Sequence, residues 1–247
     1  MPPSPLLSRR ALRGATRSTE KFGALWRPQA VESVPLVVIF SARPSALGWI
    51  ASSLATGLPA LVAVVRVSDA QVDVASATDS VLAADGAVVA ACALAASMGA
   101  NPATLGVVAD GAATSTAMQL AAQRASDRSN VPAEESPRTP VSRLALIAPA
   151  LPDAGVRLDI PSQFPPTLVQ FAREGSAAAA SAAVASQLAE AGVAVRATDY
   201  QAPRDGWVTK SRAVRQSQRG ADDLVAFFAR GFGAASTFHV IPGWELH

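Results

Sequence analysis

Short runs of β-branched and aliphatic residues alternate with longer alanine-rich stretches along most of the chain. The short runs are Pro35 to Phe40 (PLVVIF), Ala60 to Arg66 (ALVAVVR), Leu105 to Ala109 (LGVVA), Arg143 to Ala148 (RLALIA), Thr167 to Phe171 (TLVQF) and Val193 to Thr198 (VAVRAT). Most are apolar at consecutive positions rather than at every second one, the pattern of strands covered on both faces. Between them the sequence predicts helices over Leu47 to Thr56, Ser80 to Met98, Ala112 to Ala125, Ala177 to Ala191 and Gly220 to Arg230. Alanine there favours helix and lets a backbone pack close to a sheet. Strand and helix in alternation imply an α/β fold, a central mostly parallel sheet with helices on both faces. The polar segment Ser126 to Pro140, broken by Pro132, Pro137 and Pro140, is predicted as a surface loop.

Composition narrows this further. Half of the 247 residues are apolar and 16% are charged, so the chain has enough core to fold and is no disordered polyelectrolyte. With one cysteine, Cys92, no intramolecular disulfide forms, and with only His239 and His247 besides, a histidine/cysteine metal cage is not expected. Neither a Gly-x-Gly-x-x-Gly nor a Walker loop follows any of the six strands, so no cofactor is expected.

Charge is uneven. Residues 1–33 carry Arg9, Arg10, Arg13, Arg17, Lys21 and Arg27 against Glu20 and Glu32, a net of +4, which leaves the remainder near −2 within the total of +2. The body therefore lacks the electrostatic footprint of a nucleic-acid binder. Lys210, Arg212, Arg215 and Arg219 lack interleaved aromatics and read as a solvated helix face.

Two stretches are long and apolar enough to be mistaken for membrane spans. Ala46 to Val65 is cut by Gly57-Leu58-Pro59, and Gly86 to Ala109 by Gly99-Ala100-Asn101-Pro102, so both are expected to be core elements. Ser8-Arg9-Arg10-Ala11-Leu12 is followed by Arg17, Glu20 and Lys21 rather than by an apolar run, which argues against an export signal. The expected location is the cytoplasm, with peripheral membrane association through the leader as the variant. The expected organisation is a basic leader (1–33), an α/β domain (34–233) and an apolar tail (234–247).

One stretch carries a sharper signal. Leu105-Gly106-Val107-Val108-Ala109-Asp110-Gly111-Ala112-Ala113-Thr114, followed by a helix, has the strand, tight turn and helix of a nucleophile elbow. It resembles the Gly-Asp-Ser-Ala-Gly-Gly elbow of the α/β-hydrolase fold, in the hormone-sensitive-lipase-like carboxylesterase branch. Asp110 and Ala112 match that motif, and Gly111 stands where the serine belongs. The resemblance extends in chain order over roughly Val34 to Gly233. Pro35 to Phe40 is similar to the strand before the family's His-Gly-Gly-Gly oxyanion loop, here replaced by Ser41-Ala42-Arg43-Pro44. Pro166 to Phe171 is similar to the strand leading to the triad acid, whose position falls on Gly175. Tyr200-Gln201-Ala202-Pro203-Arg204-Asp205-Gly206-Trp207 resembles the Tyr-Pro-Gly-x-x-His-Gly-Phe turn, with Asp205 in place of the histidine. Between Pro149 and Pro165 the chain is too short for the family's usual insertion, which implies a cap that is reduced or absent.

Ester hydrolysis on this scaffold needs an activated hydroxyl, a base, an orienting acid and backbone donors for the oxyanion. By the resemblance all four are compromised: Gly111 has no nucleophile, Asp205 is a poor base, Gly175 has no side chain, and Pro44 has no amide hydrogen. The fallback is Thr114 or Ser115 as a displaced nucleophile with His239 as base. Against it, such hydroxyls ordinarily bond within the first helical turn, and His239 has no nameable acid. Asp110 reads either as a site acid or as a group favouring the helix N-terminus.

The expectation is a catalytically inactive hydrolase homologue acting as a binding, structural or regulatory subunit with a protein partner or as a homo-oligomer. The alternative is a carboxylesterase with a non-standard site. Five large apolar residues are expected to make the contacts: Phe22 and Trp26 in the leader, and Phe238, Ile241 and Trp244 in the tail. The leader, with its arginines among Leu6, Leu7 and Leu12, also suits an anionic membrane surface.

Overall fold

The computed structural model describes residues 15–29, 32–67, 74–130, 138–149, 159–201 and 215–233. They form one eight-stranded sheet with helices on both faces. The strands are β1 (Thr16–Glu20), β2 (Gly23–Arg27), β3 (Pro35–Ser41), β4 (Leu61–Arg66), β5 (Asn101–Asp110), β6 (Val141–Ile147), β7 (Thr167–Ala172) and β8 (Val195–Tyr200). The helices are α1 (Gly48–Gly57), α2 (Val74–Ser97), α3 (Ala113–Asn130), α4 (Ala178–Glu190) and α5 (Arg215–Phe232). Strand order is β1-β2-β4-β3-β5-β6-β7-β8. The six strands expected from the apolar runs all form, and from β4 to β8 they are parallel.

Two apolar layers result from the alternation of side chains across each strand. Leu36, Val38 and Phe40 of β3 and Val107 and Ala109 of β5 pack with α2, α3 and α4 residues such as Val88, Ala117 and Val184. Val37 and Ile39 of β3, Val108 of β5 and Ile147 of β6 pack with Ile50 and Leu54 of α1 and Leu224 and Phe228 of α5.

Part of the predicted leader belongs to the sheet. Strands β1 and β2 make a hairpin whose second strand pairs antiparallel with β4. Its side chains explain this: Ala24 and Trp26 enter one layer and Leu25 the other. Trp26 is 8% exposed, with the Arg17 guanidinium 5.3 Å from its ring centroid, so it has little surface left for a partner. Phe22, in the hairpin turn, packs partly buried against the core. The polar segment after Ala125 also departs from expectation: α3 runs through it to Asn130.

The Gly86 to Ala109 run is divided as expected into the second half of α2 and nearly all of β5. Among the described residues one helix, over Thr78–Ser97, is long and apolar enough to cross a membrane, and a third of its most apolar window is buried. A buried ion pair ties it to α3. Arg124 Nε and Nη2 donate to Asp85 Oδ1 at 3.0 and 2.8 Å, and Arg124 Nη1 donates to the Thr139 carbonyl at 2.6 Å. Arg138 reaches the other Asp85 oxygen at 3.4 Å and Asp127 at 3.0 Å.

Candidate functional site

Strand β5 lies between β3 and β6, and its residues from Leu105 to Asp110 are buried. The chain leaves it through Gly111, whose φ of +57° is a left-handed conformation that side chains disfavour. Two hydrogen bonds pin the turn: the Gly111 N–H donates to the Ile147 carbonyl at 2.9 Å, and the Thr114 N–H donates to the Gly111 carbonyl at 3.1 Å. Helix α3 begins immediately after. The backbone is thus that of an elbow at the carboxyl end of a central strand, where open α/β sheets hold their ligands.

At the apex there is no side chain. Among the described residues, a Cβ built on Gly111 would have nothing within 4 Å. The neighbouring hydroxyls are committed to the helix: Thr114 Oγ1 donates to the Gly111 carbonyl at 2.7 Å, and Ser115 Oγ donates to the Ala112 carbonyl at 3.3 Å. Thr114 is 1% exposed.

The loop expected to hold the oxyanion is a compact turn. Ser41 ends β3, its Oγ accepts the Arg43 N–H at 3.0 Å, and its carbonyl accepts the Val67 N–H at 3.1 Å. Pro44 opens a short 3-10 turn to Leu47, with the Ala46 N–H donating to the Arg43 carbonyl. Ala42 lies between Ser41 and Arg43, half-buried. Arg43 is exposed, and its charge acts on Asp110 at the end of the adjacent strand. Asp110 is buried, which pushes its carboxyl up to about 6; the Arg43 charge works against this but does not cancel it.

Gly175 lies in the turn after β7, its N–H donating to the Ala172 carbonyl and its carbonyl accepting from the Ala178 N–H. Gly111, the Ser41 to Pro44 turn and Gly175 therefore gather at one end of the sheet, as their order along the chain implied. Asp205, His239, Phe238, Ile241 and Trp244 lie outside the described residues.

No family model and no curated protein sequence matches the chain. Solved structures do. A hyperthermophilic esterase from the archaeon Pyrobaculum calidifontis superposes with a TM-score of 0.67 at 16% identity, covering 93% of this chain and 88% of its own. A thermostable carboxylesterase from a metagenomic library gives 0.66 at 15%, covering 92% and 94%. An esterase of Mycobacterium marinum gives 0.66 at 17%, covering 92% and 86%. This chain has the α/β-hydrolase fold.

A second polar constellation flanks the site, and sequence reasoning did not find it. Gln170 of β7 donates from Nε2 to Tyr200 Oη at 2.9 Å and to the Gly220 carbonyl at 3.0 Å. Tyr200 in turn donates to Asp223 Oδ2 at 2.6 Å, and Arg196 donates to Asp223 Oδ1 at 2.9 Å. Burial and the Asp223 carboxylate hold the Tyr200 phenol well above its ordinary range. A phenol kept protonated while donating to a carboxylate joins the last strands to α5; it supplies no nucleophile. The signal available in the sequence was Gln170 within the apolar run of β7 and Tyr200 as the single tyrosine of the chain, but their partner lies on a helix farther along the chain.

Proposed function

We propose that this chain is a hydrolase-fold protein that works by binding, as a structural or regulatory subunit of a protein assembly, and does not hydrolyse esters by the serine route. The observation that carries this reading is Gly111: the elbow keeps its left-handed backbone, and space that no described residue fills, but has no attacking atom. The adjacent hydroxyls support it, because Thr114 and Ser115 spend their protons on main-chain carbonyls one turn back. An activated serine needs a base as its acceptor instead. The partner is a protein or a second copy rather than nucleic acid, since the chain beyond the leader is slightly negative.

Covalent labelling with a fluorophosphonate tests the catalytic half of this reading without a guess at substrate. No labelling is expected. Labelling abolished by Thr114→Ala or Ser115→Ala overturns it in favour of the second reading, a carboxylesterase with a relocated nucleophile, which the similarity to esterases keeps in view.

A further inference from the structure

The solvent face of α2 carries no charge over most of its length. From Ser80 to Ala100 the only charged side chain is Asp85, and it is buried against Arg124. Among the described residues the exposed large hydrophobics are Leu82 and Val89, 56% and 49% exposed, and both lie on this face. With the exposed Gly86, Ala93 and Ala96 they form a line spaced alternately four and three residues apart. That alternation keeps one narrow stripe facing one way, and it is the spacing with which a helix meets another helix.

We propose that this stripe docks a second copy of this chain, with the two α2 helices antiparallel about a two-fold axis. This names the partner within the binding role proposed above and rests on that reading. The sizes of the side chains along the stripe carry the choice. In a two-fold contact, if one residue meets a second, the second also meets the first across the axis. When Gly86 of one copy faces Val89 of the other, Leu82 faces Ala93, and both pairs recur on the far side of the axis. Each large residue then meets a small one, as interdigitating layers require. Asp79, exposed at the end of the stripe, faces Ala96. A parallel pair in register would instead set Leu82 on Leu82, Gly86 on Gly86 and Asp79 on Asp79, which leaves a gap and opposes like charges.

A lipid surface is the other natural neighbour of an uncharged helix face, and it is a worse match. Helices that lie on membranes set large apolar side chains among lysines and arginines. Helix α2 has neither basic residue, and Gly86, Ala93 and Ala96 leave most of its stripe small. The area sets the strength of the contact. The apolar span of α2, Thr78–Ser97, is 20 residues, a strip about 30 Å long and about 10 Å wide. Gln119 and Gln123 of α3, which line a hollow beside Leu82, add a polar rim. The total stays below the roughly 800 Å² per partner of a standard interface, so the expected dimer is weak, with a Kd in the micromolar range.

The test uses the full chain, whose mass is 25.2 kDa. Light scattering between about 1 and about 200 µM should show the mass rising towards twice that value. Leu82→Arg sets a charge against Ala93 on both sides of the axis and should weaken dimerisation at least about tenfold. Ser186→Arg, at an exposed position of α4, should leave it unchanged. Register is read by a disulfide. With Cys92 replaced by serine, chains carrying Gly86→Cys are mixed with chains carrying Val89→Cys and oxidised; among the described residues a Cβ at Gly86 meets nothing within 4 Å. The mixture should cross-link at least about threefold faster than either chain alone, because the two thiols face each other only across unlike chains. A mass that stays at one chain up to about 200 µM overturns the proposal. So does a dimer that Leu82→Arg leaves intact, or a mixture that cross-links no faster than its components. Binding of the monomer to phosphatidylserine vesicles that Leu82→Arg abolishes overturns it too and assigns the face to lipid. Fluorophosphonate labelling is read on the same chains, so failure of the dimer and failure of the inactive-elbow reading are separate results.

Discussion

Gly106 and Gly111 belong to the same strand and turn, and they are glycines for opposite reasons. At Gly106, in the middle of β5, an added Cβ would lie 2.6 Å from Phe228 Cε1 and 2.9 Å from Phe232 Cζ, so the absent side chain is what lets α5 sit on the sheet. At Gly111 no described residue comes within 4 Å of an added Cβ, and the φ of +57° is what asks for glycine. One glycine is required by what surrounds it, the other by the shape of the backbone alone. The scaffold below the elbow is thus packed to its limit, while the elbow itself holds a conformation that a nucleophile would use and carries none.

Three substitutions separate these two situations, and the largest effect belongs to the packed glycine. Gly106→Val adds three carbons against two aromatic rings inside the sheet–helix layer. Overpacking of this kind is expected to cost at least about 3 kcal/mol. In a chain of this length that lowers Tm by about 6–12 °C. A loss below about 1 kcal/mol in urea unfolding would mean that α5 shifts freely on β5, and the contrast with Gly111 would disappear.

Next is Asp110→Asn, beside the elbow, and its effect has the opposite sign. The folded-state value of about 6 lies above the ordinary 3.8, so the folded protein holds the proton more tightly than the unfolded chain. The contribution of Asp110 to stability is fully present below about pH 4 and is lost as pH rises through about 6. The amide that replaces the carboxyl has no proton to lose. The variant should therefore match the parent near pH 4 and exceed it at pH 8 by up to about 3 kcal/mol, at about 1.4 kcal/mol per pKa unit. Parallel stability curves across that range would show that Asp110 ionises without penalty.

Much of this could be seen in the sequence, and the parts that could not have physical reasons. Buried strands such as Pro35 to Phe40 announce themselves because covering on both faces demands an unbroken apolar run. The elbow was visible because Asp110, Gly111 and Ala112 are adjacent, so local order suffices. Strand β1 was not visible: Thr16–Glu20 is a mostly exposed edge with a polar, charged sequence, and its strand state comes from pairing with β2. The extension of α3 through Asn130 was hidden in a polar stretch for a similar reason. The Arg124–Asp85 and Tyr200–Asp223 contacts were hidden because each joins residues far apart in the chain, and nothing in either local pattern names its partner.

The smallest expected effect, and the sharpest for function, is Gly111→Ser. No described residue obstructs the side chain, so the expected cost is that of placing a non-glycine residue at positive φ, about 1–2 kcal/mol. This substitution restores the one atom whose absence is most visible. By the sequence resemblance it does not restore the others: Gly175 at the place of the acid has no side chain, and in the Ser41 to Pro44 turn the Arg43 N–H is already donated to Ser41 Oγ. A serine hydroxyl without a base has an ordinary, unreactive oxygen. The variant should therefore fold, lose little stability, and show no aryl-ester turnover and no fluorophosphonate labelling above the parent. Turnover that appears in Gly111→Ser alone would mean that a base and an oxyanion donor survive around the elbow, and that the missing nucleophile is all that separates this chain from an esterase.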